Sequence, residues 1–189
     1  MRLTPLVAGA LSAAVLAGAA VWTLASLSGL WVWGAFIGWA SYDQSGANPS
    51  ALFTSSTRMA FGVVMAWLVA LVVSAGVVPL PTAATSALAA ALASFIIVEV
   101  SQYRPFSNVP ATFYGFASAF AFLLLSTPAF SINALTSPTL GNVLICIPVS
   151  LLIGSLLGLL HQQLASLLTA PEQRRPLLAI RLTPLAKED

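Results

Sequence analysis

The stretch AFIGWAS (residues 35–41) returns as TFYGFAS (residues 112–118), seventy-seven positions further along the chain. The two heptapeptides share Phe, Gly, Ala and Ser in the same register, and Trp39 of the first corresponds to Phe116 of the second. Weak internal similarity of this kind is a mark of membrane proteins built from two repeated halves. Whether it applies depends on the solvent in which the chain folds.

The composition indicates that this solvent is lipid. Of 189 residues, 59% are hydrophobic and 6% are charged, whereas soluble domains carry about 25% charged residues. So few charges cannot cover a surface in water, and the high hydrophobicity excludes intrinsic disorder.

Six apolar segments approach the length of about 20 residues that a helix needs to cross a bilayer. They are residues 6–27, 29–42, 59–78, 81–100, 109–125 and 141–160, the last of which could continue to residue 168. We therefore predict an all-α integral membrane protein with six transmembrane helices. The membrane domain covers residues 1–170, and a basic cytoplasmic tail covers residues 171–189.

The positions of the basic residues agree with six crossings. Arg2 precedes the first span, Arg58 lies between the second and third, and Arg104 lies between the fourth and fifth. The remaining basic residues follow the last span. Since Lys and Arg stay on the cytoplasmic side, we expect the lipid bilayer to be crossed with both termini in the cytoplasm.

Six crossings divide into two halves, about residues 6–78 and 81–168, with one heptapeptide in the second helix of each. Three spans per half would invert the second half, giving the 3+3 inverted repeat of many transporters and channels. In the third spans, segment 62–64 resembles segment 141–143 only loosely. The alternative is that the same residues recur because membrane helices favour them.

Small residues four positions apart predict close contacts between helices. The glycines at such positions are Gly34, Gly38, Gly115, Gly154 and Gly158. We predict that they pack helices, within one chain or between the protomers of a homo-oligomer. The alternative is that they line a narrow path, where backbone comes close to a solute.

Four charged residues are predicted at the cytoplasmic ends of spans: Asp43, Arg58, Glu99 and Arg104. We interpret them as an interfacial cluster that holds spans two to five together, with a gate or proton relay as the alternative. One histidine, one cysteine and no carboxylate pair within a span predict that the protein is not an enzyme and has no metal site or cofactor. The few basic residues form no stripe that would bind nucleic acid.

Two long connections, at residues 44–56 and 127–138, occupy corresponding places in the two halves and are candidates for re-entrant segments. Between spans two and five we predict a path lined by aromatic rings, hydroxyls and an amide: Phe36, Trp39, Ser41, Asn108, Thr112, Phe113, Tyr114 and Ser118. Such a lining suits a small neutral polar solute, such as an amide or a polyol. The alternative function is a non-transporting membrane scaffold, or a subunit of a complex.

Three segments resemble one known family: WGAFIGWASY (residues 33–42), FGVVMAW (residues 61–67) and VPATFYGFASAFA (residues 109–121). The family is the bacterial inner-membrane family catalogued as domain of unknown function 1097, and the resemblance covers about residues 6–168. It implies a small multi-span protein of the bacterial inner membrane. It implies no substrate and no catalytic residue.

Overall fold

A computed structural model describes residues 3–26 and 29–169, and its elements in that range are helices. They are α1 (Pro5–Ser26), α2 (Val32–Gln44), α3 (Pro49–Ala75), α4 (Thr82–Val100), α5 (Val109–Leu125), α6 (Ile132–Leu135) and α7 (Val143–Leu168). A turn of 3-10 helix, Arg104–Phe106, lies between α4 and α5. The basic tail and Arg2 lie outside the described residues.

Four helices are long and apolar enough to cross a membrane: α1, α3, α4 and α7. Helix α5 is apolar and has 17 residues. Helix α2 has 13 residues, so its length is about 20 Å at 1.5 Å per residue. It is therefore shorter than the hydrocarbon core of a bilayer, which is about 30 Å thick. A multi-pass, all-helical membrane protein is confirmed, whereas four of the six predicted spans have the full length.

Helix α3 begins ten residues before the predicted span, so the prediction of a long connection over residues 44–56 is wrong in its second part. The side chain of Asn48 accepts a hydrogen bond from the Ala51 N–H at 2.9 Å, and Pro49 occupies the first turn. The hydroxyls of Thr54 and Thr57 donate to backbone carbonyls one turn earlier. The hydroxyls of two threonines that suggested a loop are thus satisfied within the helix.

The helices pack in two crossed pairs, α2 with α7 and α3 with α5, and each pair joins a helix from the first half of the chain to one from the second. Helix α1 packs on α7, α4 packs on α3, and α3 also contacts α7. The Trp31 N–H donates to Ser150 Oγ at 3.0 Å, and Gln162 Nε2 donates to Asp43 Oδ1 at 3.5 Å, so α2 and α7 run parallel. Buried side chains of the core between α3, α5 and α7 include Met59, Val63, Phe116, Ile147 and Leu151.

One end of the bundle carries all the charge of the described residues, on Asp43, Arg58, Glu99 and Arg104. There the Leu3 N–H donates to the Leu168 carbonyl at 3.4 Å, which joins the start of α1 to the end of α7. Asn108 Nδ2 donates to Ser45 Oγ at 3.2 Å, which joins the start of α5 to the turn after α2. The opposite end, which includes residues 126–142, is uncharged.

The asparagines that cap α3 and α7 are expected to differ in their contribution to stability. Asn48 is exposed and its carbonyl caps α3, whereas Asn142 is buried, caps α7 and donates to the carbonyls of Leu135 and Ser137. Asn48→Ala should cost about 1 kcal/mol, the usual value of an N-cap. Asn142→Ala should cost about 2–3 kcal/mol, because the cap and two further hydrogen bonds are lost.

Thermal unfolding in detergent, followed by circular dichroism, would measure both losses. Asn133→Ala is the matched control, since Asn133 is exposed on α6 and should leave the unfolding midpoint unchanged. Equal losses in the Asn48 and Asn142 variants would contradict the additional role of Asn142.

Candidate functional site

The contact between α2 and α7 is so close that it excludes a side chain at two positions. A methyl group on Gly38 would overlap the backbone carbonyl of Leu151, and one on Gly154 would overlap that of Ala35. Gly158 lies under the ring of Tyr42. The two backbones therefore touch at the crossing, with dispersion contacts along both helices.

The contact between α3 and α5 repeats this geometry. A methyl group on Gly115 would overlap the carbonyl of Met59, and one on Gly62 would overlap that of Thr112. Gly62 was not among the glycines predicted from their spacing, although Ala66 lies four positions after it. The structure brings it into the same kind of contact as Gly154.

The two crossings are related by constant separations along the chain. Gly38 and Gly115 are seventy-seven positions apart, as are Ala35 and Thr112; Met59 and Leu151 are ninety-two apart, as are Gly62 and Gly154. Gly62 and Gly154 thus make the same kind of backbone contact, whereas Gly141, in the segment compared loosely with residues 62–64, lies beside the Thr139 side chain. Gly141 lies outside α7, in the uncharged connection before it. Helices α3 and α7 therefore resemble each other in their backbone contacts at Gly62 and Gly154.

The predicted lining residues of α2 face in different directions. Phe36 is 39% exposed and lines a shallow surface recess with Val32 and Trp33. Trp39 is buried, and its ring centroid lies 5.2 Å from that of His161 on α7. The third residue, Ser41, is fully buried and faces α3. Helix α2 thus presents its aromatic residues to the surface and to α7.

The predicted lining residues of α5 lie mostly against α3. Thr112 is buried at the α3 crossing, and Phe113 and Tyr114 are half-buried. Asn108 caps α5 by accepting from the Ala111 N–H at 3.2 Å. The predicted residues of α2 and α5 do not face one common space, because each helix packs mainly on a partner from the other half of the chain.

Several hydroxyls are nevertheless buried between the helices. Ser41 Oγ and Ser55 Oγ form a hydrogen bond of 2.7 Å between α2 and α3. In the described part of the chain, five buried polar atoms have no hydrogen-bond partner: Tyr42 Oη, Ser56 Oγ, Ser74 Oγ, Ser118 Oγ and His161 Nδ1. Of these residues, Tyr42 and Ser118 are fully buried. Ser41 and Ser118 are the corresponding serines of the two heptapeptides, so one is paired and the other is not.

A recess of about 550 Å³ opens at the uncharged end, between the end of α5 and the start of α7. Its polar lining residues are Ser126, Thr127, Ser131, Asn133, Ser137 and Thr139. Phe122 also lines it, and the Phe122 and Trp31 rings meet edge to face with centroids 5.3 Å apart. Ser118 lies one helical turn before Phe122 on α5, and residues four apart share a helix face.

The predicted charge cluster lies at the other end and contacts mainly backbone. Arg58 Nε donates to the carbonyl of Pro105 at 3.1 Å, and its Nη2 donates to that of Arg104 at 3.4 Å. Glu99 and Arg104 are exposed. Arg58 therefore holds the 3-10 turn against α3. Among the described residues, no group of three or more metal-binding side chains is present.

Sequence reasoning missed Trp31, Tyr42, Ser55 and Phe122. Tyr42 directly follows a residue that was singled out, and Phe122 is one turn beyond Ser118, so extending the heptapeptides by one helical turn would have included both. No sequence signal pairs Ser41 with Ser55, because their contact depends on how tightly the chain turns between α2 and α3.

Comparison with known proteins gives one result. The model of one family, described as "Protein of unknown function (DUF1097)", matches residues 10–166. No curated protein and no solved structure matches the chain at a level that shows a relationship. Since the match covers most of the chain, and the helices described above fall almost wholly within it, the chain belongs to the DUF1097 family of proteins of unknown function.

Proposed function

We propose that this protein is a passive channel or facilitator that carries a small neutral polar solute across the bacterial inner membrane. The observation that carries the proposal is that Tyr42 Oη and Ser118 Oγ, which belong to the two fully buried residues among the five with an unpartnered buried polar atom, have no hydrogen-bond partner. Leaving a buried hydroxyl unpaired costs about 1–3 kcal/mol. In a protein solvated by lipid, that cost is offset if the hydroxyls bind water or solute during transport.

The proposal includes a 3+3 inverted repeat. In this repeat α1 corresponds to α4, α2 to α5, and α3 to α7. Under this correspondence the α2–α7 contact matches the α3–α5 contact, and the α1–α7 contact matches the α3–α4 contact. The four glycine contacts obey the same correspondence. This correspondence supports a two-fold axis in the membrane plane, and solute sites in such proteins lie near the midplane between the halves.

The solute is proposed to be neutral because the interior offers it no charge. Every charged residue of the described chain is at one end, while the buried polar groups between the helices are hydroxyls such as Ser41, Ser55 and Ser118. Hydroxyls donate and accept hydrogen bonds without selecting a sign of charge. No Asp, Glu, Lys or Arg of the described chain lies at depth, and His161 is half-buried near the charged end, with its Nε2 3.2 Å from the carbonyl oxygen of Gly9. Transport is therefore proposed to run down the concentration gradient.

The charged end is proposed to face the cytoplasm, in accordance with the rule that basic residues remain inside. Leu3 and Leu168 meet at that end, which supports the proposal that both chain termini face the cytoplasm. We also propose a homo-oligomer, supported by the low burial of α1 and α4 in the single chain.

Solute flux into liposomes tests this function. Purified full-length protein should accelerate the entry of glycerol, acetamide or urea at least tenfold over protein-free liposomes, as measured by stopped-flow light scattering. Acetate and methylammonium, which are charged, should enter no faster than in the protein-free control. If none of the neutral solutes enters faster, the protein is not a facilitator of this class.

A non-transporting scaffold is the second candidate, and the close contact of backbones at both crossings favours it, because it leaves little space there. An apolar groove of about 460 Å³ between α3 and α4 would suit a partner within the membrane. Deleting residues 171–189 separates the two functions: a facilitator should keep its flux, whereas a scaffold anchored through the tail should lose its partner in pull-downs.

A further inference from the structure

We propose that the recess at the uncharged end is a binding site for a small neutral molecule that has both a hydrogen-bonding edge and an apolar face, such as a short amide or polyol. This inference rests on the proposed function, for which the recess would be the entrance. Its volume of about 550 Å³ falls within the range of about 300–1,000 Å³ found for small-molecule sites.

The walls of the recess are held in place by hydrogen bonds from buried groups. Asn142 Nδ2 donates to the Leu135 carbonyl at 3.0 Å and to the Ser137 carbonyl at 2.9 Å. Trp67 Nε1, from α3, donates to the same Leu135 carbonyl at 2.9 Å. Leu135 is 1% exposed, which anchors α6 in the protein. The segment is therefore organised before a ligand arrives, which reduces the entropy lost on binding.

The chemistry of the lining selects neutral molecules. The polar wall consists of hydroxyls and the carboxamide of Asn133, while Phe122, Pro128 and Ala134 supply an apolar floor. No charged residue of the described chain lies at this end of the bundle. A charged solute would lose its hydration without gaining a counter-charge, whereas a neutral amide or polyol can exchange water for these groups.

The recess and the buried Ser118 share one face of α5. Phe122 lines the recess and meets Trp31 edge to face. Ser118 is four residues before Phe122 and therefore lies on the same face of α5, one turn deeper. A molecule bound in the recess would therefore contact Phe122, the lining residue one helical turn from Ser118.

Ligand-observed NMR on the purified full-length protein in nanodiscs tests the site directly. Glycerol and acetamide should bind the wild type, and Asn133→Ala should weaken their binding about tenfold. Thr127→Val, which removes a hydroxyl of the lining, should also weaken binding. Thr136→Val is the matched control: Thr136 belongs to the same segment but does not line the recess, and its hydroxyl donates to the Ile132 carbonyl, so binding should be unchanged.

The outcomes separate this site from the proposed function. Binding that depends on Asn133 supports the site even if liposomes show no flux, in which case only the facilitator fails. If the wild type transports and the Asn133→Ala variant has the same half-saturation concentration, the site is overturned while the facilitator stands. Binding of acetate and methylammonium as tight as that of the neutral molecules has the same consequence. The absence of binding by both glycerol and acetamide also overturns it.

Discussion

Gly154→Ala is expected to destabilise the protein by about 3 kcal/mol, at the upper end of the usual range for an overpacked interior. The added methyl group would overlap the backbone carbonyl of Ala35, and a backbone atom cannot move aside as the end of a flexible side chain can. The α2–α7 crossing must open to accept it. Gly115→Ala should produce a similar loss, since its methyl group would overlap the Met59 carbonyl.

Thermal unfolding in one detergent would measure both losses, and about 3 kcal/mol corresponds to roughly 6–12 °C for a chain of this size. Gly18→Ala is the matched control, because an added methyl group at Gly18 would have no atom within 4 Å. Alanine also favours the helix by about 1 kcal/mol over glycine, so the control should melt at the same temperature or higher. Equal midpoints for the Gly154 and Gly18 variants would show that the crossings are not close contacts.

Ser118→Ala is expected to lower solute flux about tenfold while leaving the protein as stable as before, or more stable by about 1 kcal/mol. The hydroxyl is buried without a partner, so its removal relieves a desolvation cost and breaks no hydrogen bond. A residue with a structural role would show the opposite, a loss of stability. Tyr42→Phe should behave in the same way, because it removes only the unpaired Oη.

Flux into liposomes and thermal unfolding should be measured on the same preparations. Leu124→Ala is the control for flux, since Leu124 is 72% exposed on the outer face of α5 and should transport as the wild type does. Ser55→Ala is the control for stability: it leaves Ser41 without its partner and should cost about 1 kcal/mol. Unchanged flux in both the Ser118 and Tyr42 variants would remove the observation that carries the proposed function.

Local signals in the sequence were sufficient for most helix boundaries. Span 109–125 coincides with α5 because Asn108 caps its start, Pro110 fits its first turn, and Ser126 ends it. The start of α3 was missed because serine and threonine hydroxyls can bond to their own helix as well as to loops. Polarity alone does not distinguish the two.

The candidate site was less accessible to sequence reasoning, because the spacing of small residues shows that a helix approaches something closely but not what it approaches. The twin heptapeptides suggested that α2 and α5 face each other, whereas Gly38 meets Leu151 of α7 and Gly115 meets Met59 of α3. The recess depends on how residues 126–141 fold back onto Trp67 and Phe122. That is long-range information that a local pattern does not contain.

The crossed pairs have a consequence for the order in which the helices pack in the membrane. Each backbone crossing joins a helix from the first half of the chain to one from the second, so each half packs mainly against the other and not within itself. Neither half can complete its own packing before the other has been inserted, and α2 in particular must wait for α7, which follows it far along the chain.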